Sequence, residues 1–131
     1  MRNAAMWVSV VTAVVLVAGL AMSQGDKADQ KRLRHVVLFK FKDTAKPEDI
    51  KTVVDAFRAL PAKIPVVKRF EFGTNVSPEN LAQGFTHCFF LTFGSDADRD
   101  AYIVHPEHKK FGELLHPYLD KVLVIDYWAE K

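Results

Sequence analysis

The densest group of side chains suited to chemistry lies at residues 102–108, in the segment Tyr-Ile-Val-His-Pro-Glu-His. Tyr102 and His105 share one face of a predicted helix, and Pro106 bends or restarts that helix before His108. An imidazole titrates near neutral pH, and a phenol donates to a developing oxyanion. The spacing therefore predicts proton transfer by Tyr102 and His108. The alternative is an aromatic residue packed at a helix end, with His108 capping carbonyl groups.

Two further histidines, His35 and His87, each lie near the start of a predicted strand. Side chains two residues apart on a strand share a face, so His35 points with Val37, and His87 with Phe89, toward an apolar surface. Both are candidates for lining a pocket. The simpler interpretation is a histidine at a strand end, bonded to a backbone carbonyl.

A metal site is a competing hypothesis for the same segment. His105 and His108 have a spacing that could bind a metal ion, with Glu107 or His35 completing the ligands. The helical pair of zinc proteases is four residues apart, however, and Pro106 breaks the helix here. We expect no metal and no other cofactor.

Residues 1–23 are predicted to be a secretory signal peptide. Arg2 is their one charged residue, an apolar stretch follows from Met6 to Leu20, and Ala21-Met22-Ser23 supplies the small residues of a cleavage site. Cleavage after Ser23 would export the protein to the periplasm or the cell exterior. The alternative is an uncleaved leader that anchors the chain in a membrane through residues 4–22.

Residues 24–34 are predicted to be a polar linker, and residues 35–128 to form one domain. Cys88 is the single cysteine, so the domain has no internal disulfide and depends on its core or on a partner subunit. The chain of 131 residues has 18 basic and 16 acidic side chains, a formal net charge of +2. That balance gives no clustered basic surface for nucleic acid.

The pattern of apolar residues predicts the order strand, helix, two strands, helix, strand. The strands are expected at 35–41, 66–72, 85–93 and 122–128. Pro47 opens the first helix and Pro61 and Pro65 stop it, while Ser95 caps a second helix that restarts at Pro106. This β-α-β-β-α-β order predicts an α+β fold with an antiparallel four-stranded sheet.

The predicted strands are apolar on both faces, and the two helices can cover only one. We therefore expect the second face to meet another copy of the chain in a homodimer.

Three segments resemble the stress-responsive A/B barrel (Dabb) family: HVVLFKFK at 35–42, GFTH at 84–87 and, most specifically, YIVHPEH at 102–108. The resemblance extends from His35 to about Tyr127. It implies a ferredoxin-like fold that assembles as a dimeric α+β barrel. Most members of that family have no established activity and are described as stress-associated.

One plant member of the family is a cofactor-independent enzyme that closes a linear polyketide by aldol condensation. The resemblance to it implies that His108 is the base that removes an α-proton and that Tyr102 holds the carbonyl oxygen. It also implies that His35 and His87 line the pocket, with His105 at a matching position.

Phe57 and Phe89 are expected to contribute apolar walls, and Phe57 stands where that cyclase has a pocket tyrosine. Two functions follow. The first is a homodimer that binds a small, largely apolar molecule without catalysis. The alternative is a cyclase-like lyase in which Tyr102 and His108 act as acid and base.

Overall fold

Four strands and three helices make up the computed structural model, which describes residues 32–130. The elements in chain order are β1 (Leu33–Phe41), α1 (Pro47–Lys63), β2 (Arg69–Thr74), β3 (His87–Phe93), α2 (Asp96–Val104), α3 (Pro106–Leu115) and β4 (Leu119–Trp128). The strands form one antiparallel sheet in the order β2-β3-β1-β4. The predicted α+β class and the antiparallel four-stranded sheet are thereby confirmed.

The predicted leader lies outside the described residues, as does most of the predicted linker. β1 begins at Leu33, two residues before the strand start expected at His35. Leu33 is buried and is paired with Phe93 on one side and Trp128 on the other, which draws it into the sheet. Between residues 32 and 130, no helix is both long and apolar enough to cross a membrane.

Helix α1 begins as its sequence suggests and ends later. Pro47 occupies the first turn, and the Asp49 carboxylate accepts from the Lys46 backbone N–H at 3.2 Å. The expected stop at Pro61 and Pro65 was wrong for Pro61, which lies inside the helix, whereas α1 ends at Lys63, just before Pro65. A proline in the last turn removes only its own hydrogen bond, and the N–H of Ile64 still donates to the Leu60 carbonyl at 2.9 Å.

The strand ends also differ from the sequence prediction. β2 begins at Arg69 rather than residue 66, because Val66 and Val67 pack against the core as a turn and not as sheet. β3 begins at His87 rather than residue 85, and β4 begins at Leu119 rather than residue 122. Hydrogen bonding to a neighbouring strand sets these ends, and apolar patterning reports it only indirectly.

The break between α2 and α3 falls at His105, as the proline predicted. The His105 backbone is extended, its N–H donates to the Tyr102 carbonyl at 3.1 Å, and its Nδ1 accepts from the N–H of Glu107 at 3.1 Å. His105 therefore ends one helix and caps the next. The bend places the first turn of α3 beside the last turn of α2.

Within residues 32–130 all three helices lie on one face of the sheet, the covered face, and we call the other the helix-free face. On the covered face the odd-numbered residues of β1 are all buried. The helix-free face carries apolar side chains that are only partly buried, namely Val36, Leu38, Phe90, Leu123, Ile125 and Tyr127. Leu123, Ile125 and Tyr127 are 42–50% exposed in the protomer. This is the face that the sequence predicts to meet a second copy.

Candidate functional site

A cavity of about 340 Å³ lies under α2 and α3, on the covered face of β1 and β4. We call it the Tyr102 cavity. Its walls are mostly apolar: Val37, Phe39, Phe57, Ile103, Phe111, Gly112, Leu115, Val122 and Val124. Three polar side chains, His35, Tyr102 and His108, also line it. An apolar cavity with a few convergent polar groups is the usual form of a small-molecule site.

Tyr102 occupies the last turn of α2 and is almost fully buried. Its ring lies 4.5 Å from the His108 ring, 5.2 Å from that of Phe93 and 5.8 Å from that of His35, measured between centroids. Burial raises the pKa of Tyr102 far above its ordinary value, because the phenolate would lose its hydration. The phenol therefore keeps its proton and acts as a hydrogen-bond donor.

His108 lies in the first turn of α3, and its Nδ1 donates to the Ile103 carbonyl at 3.0 Å. A carbonyl only accepts, so Nδ1 carries the proton and Nε2 of the neutral ring carries a lone pair. Burial lowers the pKa of His108, and the nearby His35 and His105 lower it further, against the opposing effect of the Ile103 carbonyl. At neutral pH the ring is therefore an uncharged proton acceptor.

His35 is held by an acidic residue that the sequence prediction missed. Its Nδ1 donates to the Asp126 Oδ1 at 2.6 Å, and Asp126 lies directly opposite it on β4. The Asp126 Oδ2 accepts from the Arg99 Nη1 at 3.1 Å. The sequence contains a signal for this contact, since Asp126 is an acid inside the apolar run from Val122 to Trp128. Its alternation with Val122 and Val124 directs it to the same face of the sheet.

The structure brings together four of the seven residues proposed from the sequence. Tyr102, His108, His35 and Phe57 all line the Tyr102 cavity. Phe57 and Phe111 form part of its wall and leave the space open.

The other three residues lie elsewhere. In the antiparallel pairing of β1 with β3, His87 is opposite Phe39, four residues along β1 from His35. The His87 ring packs on Phe41 at 5.1 Å, and its Nδ1 shares a hydrogen bond of 2.8 Å with the Thr86 hydroxyl. The structure therefore does not bring His87 to the Tyr102 cavity.

His105 is occupied as a helix cap, and it does not line the cavity. Phe89 is completely buried, because Phe57 stacks on it with ring centroids 4.1 Å apart and planes within 2°. Phe89 therefore supports the cavity wall from below rather than forming it.

A larger hollow, of about 770 Å³, lies on the helix-free face and is more open than the Tyr102 cavity. Arg34, Arg69 and Tyr127 are among its lining residues. This face is the one expected to meet a second copy of the chain. A second copy would cover the hollow, so we do not take it as a binding site. The chemistry-bearing side chains converge on the smaller cavity.

Metal binding finds no support in the part of the chain that the structure describes. There, no group of three or more histidine, cysteine, aspartate or glutamate side chains could hold a metal ion. His105 and His108 each use Nδ1 in a backbone hydrogen bond.

Curated proteins similar to this chain include two from plants. A stress-response A/B barrel domain-containing protein, HS1 of Arabidopsis thaliana, is 44% identical over 95 residues, which cover 72% of this chain and 87% of that protein. Olivetolic acid cyclase of Cannabis sativa is 33% identical over 103 residues, which cover 76% of this chain and 98% of the cyclase.

Solved structures similar to this one include an enzyme. Hydroxynitrile lyase from Passiflora edulis superposes with a TM-score of 0.73 at 27% identity, over 78% of this chain and 96% of the lyase. A protein of unknown function from Bacteroides fragilis, described as dimeric and ferredoxin-like, superposes with a TM-score of 0.63 at 31% identity. That match covers 76% of this chain and 97% of the other.

These likenesses confirm the ferredoxin-like fold, and several of the similar structures are described as dimeric. The family model of the stress responsive A/B barrel domain matches residues 33–129, which is nearly the whole of the described part. The chain therefore belongs to the stress responsive A/B barrel (Dabb) family.

Proposed function

We propose that the protein is a homodimer that binds a small, largely apolar molecule in the Tyr102 cavity. The observation that supports this most directly is the convergence of His35, Tyr102 and His108 on an otherwise apolar space of about 340 Å³. That volume suits a small ligand. The polar side chains favour a ligand with one carbonyl or hydroxyl group, and the apolar walls favour a hydrocarbon body.

The homodimer is supported by the helix-free face and by the comparisons. Side chains such as Leu123 and Ile125 leave a contiguous apolar surface on that face, as is typical of an interface. The similar ferredoxin-like proteins are described as dimeric. We also propose that residues 1–23 direct export and are removed after Ser23, with retention as a membrane anchor as the alternative.

Native mass spectrometry after gentle purification of the full-length gene product tests assembly, cleavage and retained ligand together. We expect a dimer of chains that begin at Gln24 and carry a small molecule. A monomer with nothing bound would contradict both the dimer and the binding proposal. Chains of full length would contradict cleavage alone.

A variant that narrows the cavity tests the binding site itself. Gly112 lines the cavity, and a Cβ atom added there meets nothing within 4 Å, so a side chain can begin at this position without a backbone clash. With benzaldehyde as the probe in a calorimetric titration, we expect Gly112→Leu to abolish binding. Gly112→Ala, the matched control, should bind nearly as the wild type does. Unchanged binding by Gly112→Leu would place the ligand elsewhere.

A second function, acid–base catalysis, is favoured by the opposite proton states of two adjacent rings. Tyr102 keeps its proton and His108 Nε2 has a free lone pair, with the ring centroids 4.5 Å apart. That is the arrangement needed to deprotonate a substrate while donating a hydrogen bond to its oxygen. The names of two similar proteins, a cyclase and a hydroxynitrile lyase, describe enzymes.

The proposed reaction makes or breaks a carbon–carbon bond beside a carbonyl and needs no cofactor. In an intramolecular aldol closure, His108 takes the α-proton, the α-carbon bonds to the carbonyl carbon, and the oxygen receives the proton while Tyr102 stabilises its charge. In cleavage of a hydroxynitrile, His108 takes the hydroxyl proton and the bond to the nitrile carbon breaks. Cyanide then leaves with the electron pair and is protonated by His108. Both reactions conserve every atom.

Mandelonitrile, which cleaves to benzaldehyde and hydrogen cyanide, is a direct test substrate. We expect His108→Gln to reduce cleavage by about 100-fold or more, because it removes the base. Benzaldehyde binding by the same variant serves as the control that the cavity is intact. Wild-type cleavage no faster than in buffer would remove the hydroxynitrile reaction and leave the binding proposal standing.

A further inference from the structure

The side chain of Asp126 connects two elements that carry the proposed chemistry. Its Oδ1 accepts from the His35 Nδ1 at 2.6 Å, and its Oδ2 accepts from the Arg99 Nη1 at 3.1 Å. Both carboxylate oxygens are therefore engaged. One contact leads to β1, and the other to α2, the helix that carries Tyr102.

Asp126 lies on an edge strand, and this position makes its hydrogen bond with Arg99 important. β4 is an edge strand, and its apolar residues from Val122 to Trp128 are 42–50% exposed in the protomer. The Asp126 side chain itself is 26% exposed. Water still reaches the carboxylate at that exposure and competes with the imidazole for it, so a second charged hydrogen bond favours the orientation toward His35.

Arg99 is itself oriented before it reaches Asp126. Its Nε and Nη2 both donate to the Asp100 Oδ1, at 3.0 and 2.9 Å, and Asp96 lies 3.6 Å from Nη2. These contacts fix the plane of the guanidinium and direct Nη1 to Asp126. The Arg99 side chain is 21% exposed, so solvent screens the pair only in part.

Arg99 also moves with Tyr102. The two residues are three apart on α2 and lie on adjacent positions of one helix face. A displacement of α2 would therefore shift the phenol and the guanidinium together. The position of the Tyr102 phenol relative to His35 therefore depends on the same helix that carries the Arg99–Asp126 hydrogen bond.

We propose that Arg99 is a positioning residue that holds Asp126 on His35 Nδ1 and thereby fixes the His35 ring, with Nε2 available, beside Tyr102. A carboxylate that orients an imidazole through Nδ1 sets both its tautomer and its direction. Without Arg99, the Asp126 side chain turns to solvent and His35 loses its fixed tautomer. The kinetic consequence of this inference rests on the proposed lyase chemistry, and the structural consequence does not.

Proton NMR of the full-length protein, labelled with ¹⁵N at histidine, tests the structural consequence. A ring N–H bonded to a carboxylate gives a downfield signal that exchanges slowly with water. We expect that signal for His35 in the wild type and its loss in Arg99→Met, which keeps the aliphatic stem and removes the donors. Arg99→Lys, which restores one charged donor, should recover it.

Arg58→Met is the matched control, because Arg58 is an exposed arginine of α1 that contacts Asp55 and Phe72 and lies away from the cavity. Its His35 signal should equal that of the wild type. If Arg99→Met keeps the His35 N–H signal, with the same rate of exchange with water as in the wild type, the proposal is overturned. If Arg99→Met does not fold, the same comparison is made with Arg99→Gln.

Kinetics separate this inference from the proposed function. If mandelonitrile is cleaved, Arg99→Met should lower kcat by about tenfold and leave KM nearly unchanged, as is typical of residues that orient a functional side chain. A change in KM alone would contradict a positioning role. If the wild type shows no cleavage, the lyase proposal fails, and the NMR signal still decides the role of Arg99.

Discussion

The covered face of the sheet has a filled half and a hollow half. Over β3 and β2, α1 packs aromatic rings closely: Phe57 stacks on Phe89, and Phe70 lies 5.6 Å from Phe57 between centroids. Over β4 the side chains are short, and Val122 and Val124 are 50% and 49% exposed. The same sheet therefore supports a tightly packed core on one side and an open cavity on the other.

Under the proposed function, this difference assigns stability to the filled half and binding to the hollow half. Close-packed rings contribute buried apolar area and dispersion contacts, which stabilise the fold. The hollow half contributes less of either, and it holds the proton-carrying side chains. We expect substitutions in the filled half to lower the free energy of unfolding, and substitutions in the hollow half to alter binding and chemistry.

The largest effect is expected from Phe89→Ala in the filled half. Phe89 is fully buried under Phe57, so its removal leaves a cavity and should cost about 3–5 kcal/mol of unfolding free energy. Urea denaturation at fixed protein concentration measures it. The half-exposed Val124 is the comparison in the hollow half, and Val124→Ala should cost about 1 kcal/mol or less. Equal costs would abolish the distinction between the halves.

Tyr102→Phe, in the hollow half, should change stability little and catalysis strongly. The ring keeps its contacts with Phe93 and His108, so stability changes little, while loss of the hydroxyl should slow mandelonitrile cleavage by about 100-fold. The matched control is Tyr118→Phe, at the turn before β4, which should leave the rate unchanged. A rate that survives Tyr102→Phe would remove the phenol from the proposed mechanism.

Acid pH should lower the stability of the fold through two histidines, His108 in the hollow half and His87 at the other end of the covered face. Burial lowers the pKa of His108 and of His87 below the ordinary 6.5, so the unfolded chain takes up protons first as pH falls. Stability should therefore be full above pH 6.5 and decline as pH drops below it.

The pH dependence of mandelonitrile cleavage should be set by the protonation of His108 alone. The rate should be constant around neutral pH and fall as His108 is protonated, at a pH below 6.5. His87→Gln should remove part of the pH dependence of stability and leave the pH profile of cleavage unaltered. A changed cleavage profile in that variant would connect His87 to the Tyr102 cavity.

The smallest effect is expected from Gly112→Ala at the cavity wall. Gly112 is inside helix α3, and an added Cβ meets open space, so stability should rise by about 0.5–1 kcal/mol. Gly84→Ala is the opposite case, because φ is +84° there and the Cβ would lie 2.8 Å from the Lys40 Cε. Thermal unfolding of the two variants compares them, and stabilisation by both would contradict the backbone argument.

The sequence predicted the elements well because alternation and helical periodicity are local. It placed the break at Pro106 and the pairing of Tyr102 with His108 for the same reason, since both depend on seven consecutive residues. Strand ends such as Leu33 were misplaced because partners on other strands set them.

The contacts that the sequence missed are long-range. Asp126 is 91 residues from His35, and only the register of β4 on β1 brings them together. His87 lies away from the Tyr102 cavity because the antiparallel register of β3 on β1 puts it at the other end of the strand from His35. Strand parity tells which face a side chain occupies, and it does not tell how far along the strand its neighbours lie.

The break at His105 has a consequence for how such proteins diversify. On an unbroken helix, residues six apart lie roughly a third of a turn out of line, so Tyr102 and His108 would point to different sides. The bend makes one short segment of chain the source of both rings, while the surrounding walls come from distant strands and helices. Under the proposed function, mutations in the walls would therefore change the ligand, while the segment from Tyr102 to His108 would keep its two rings side by side.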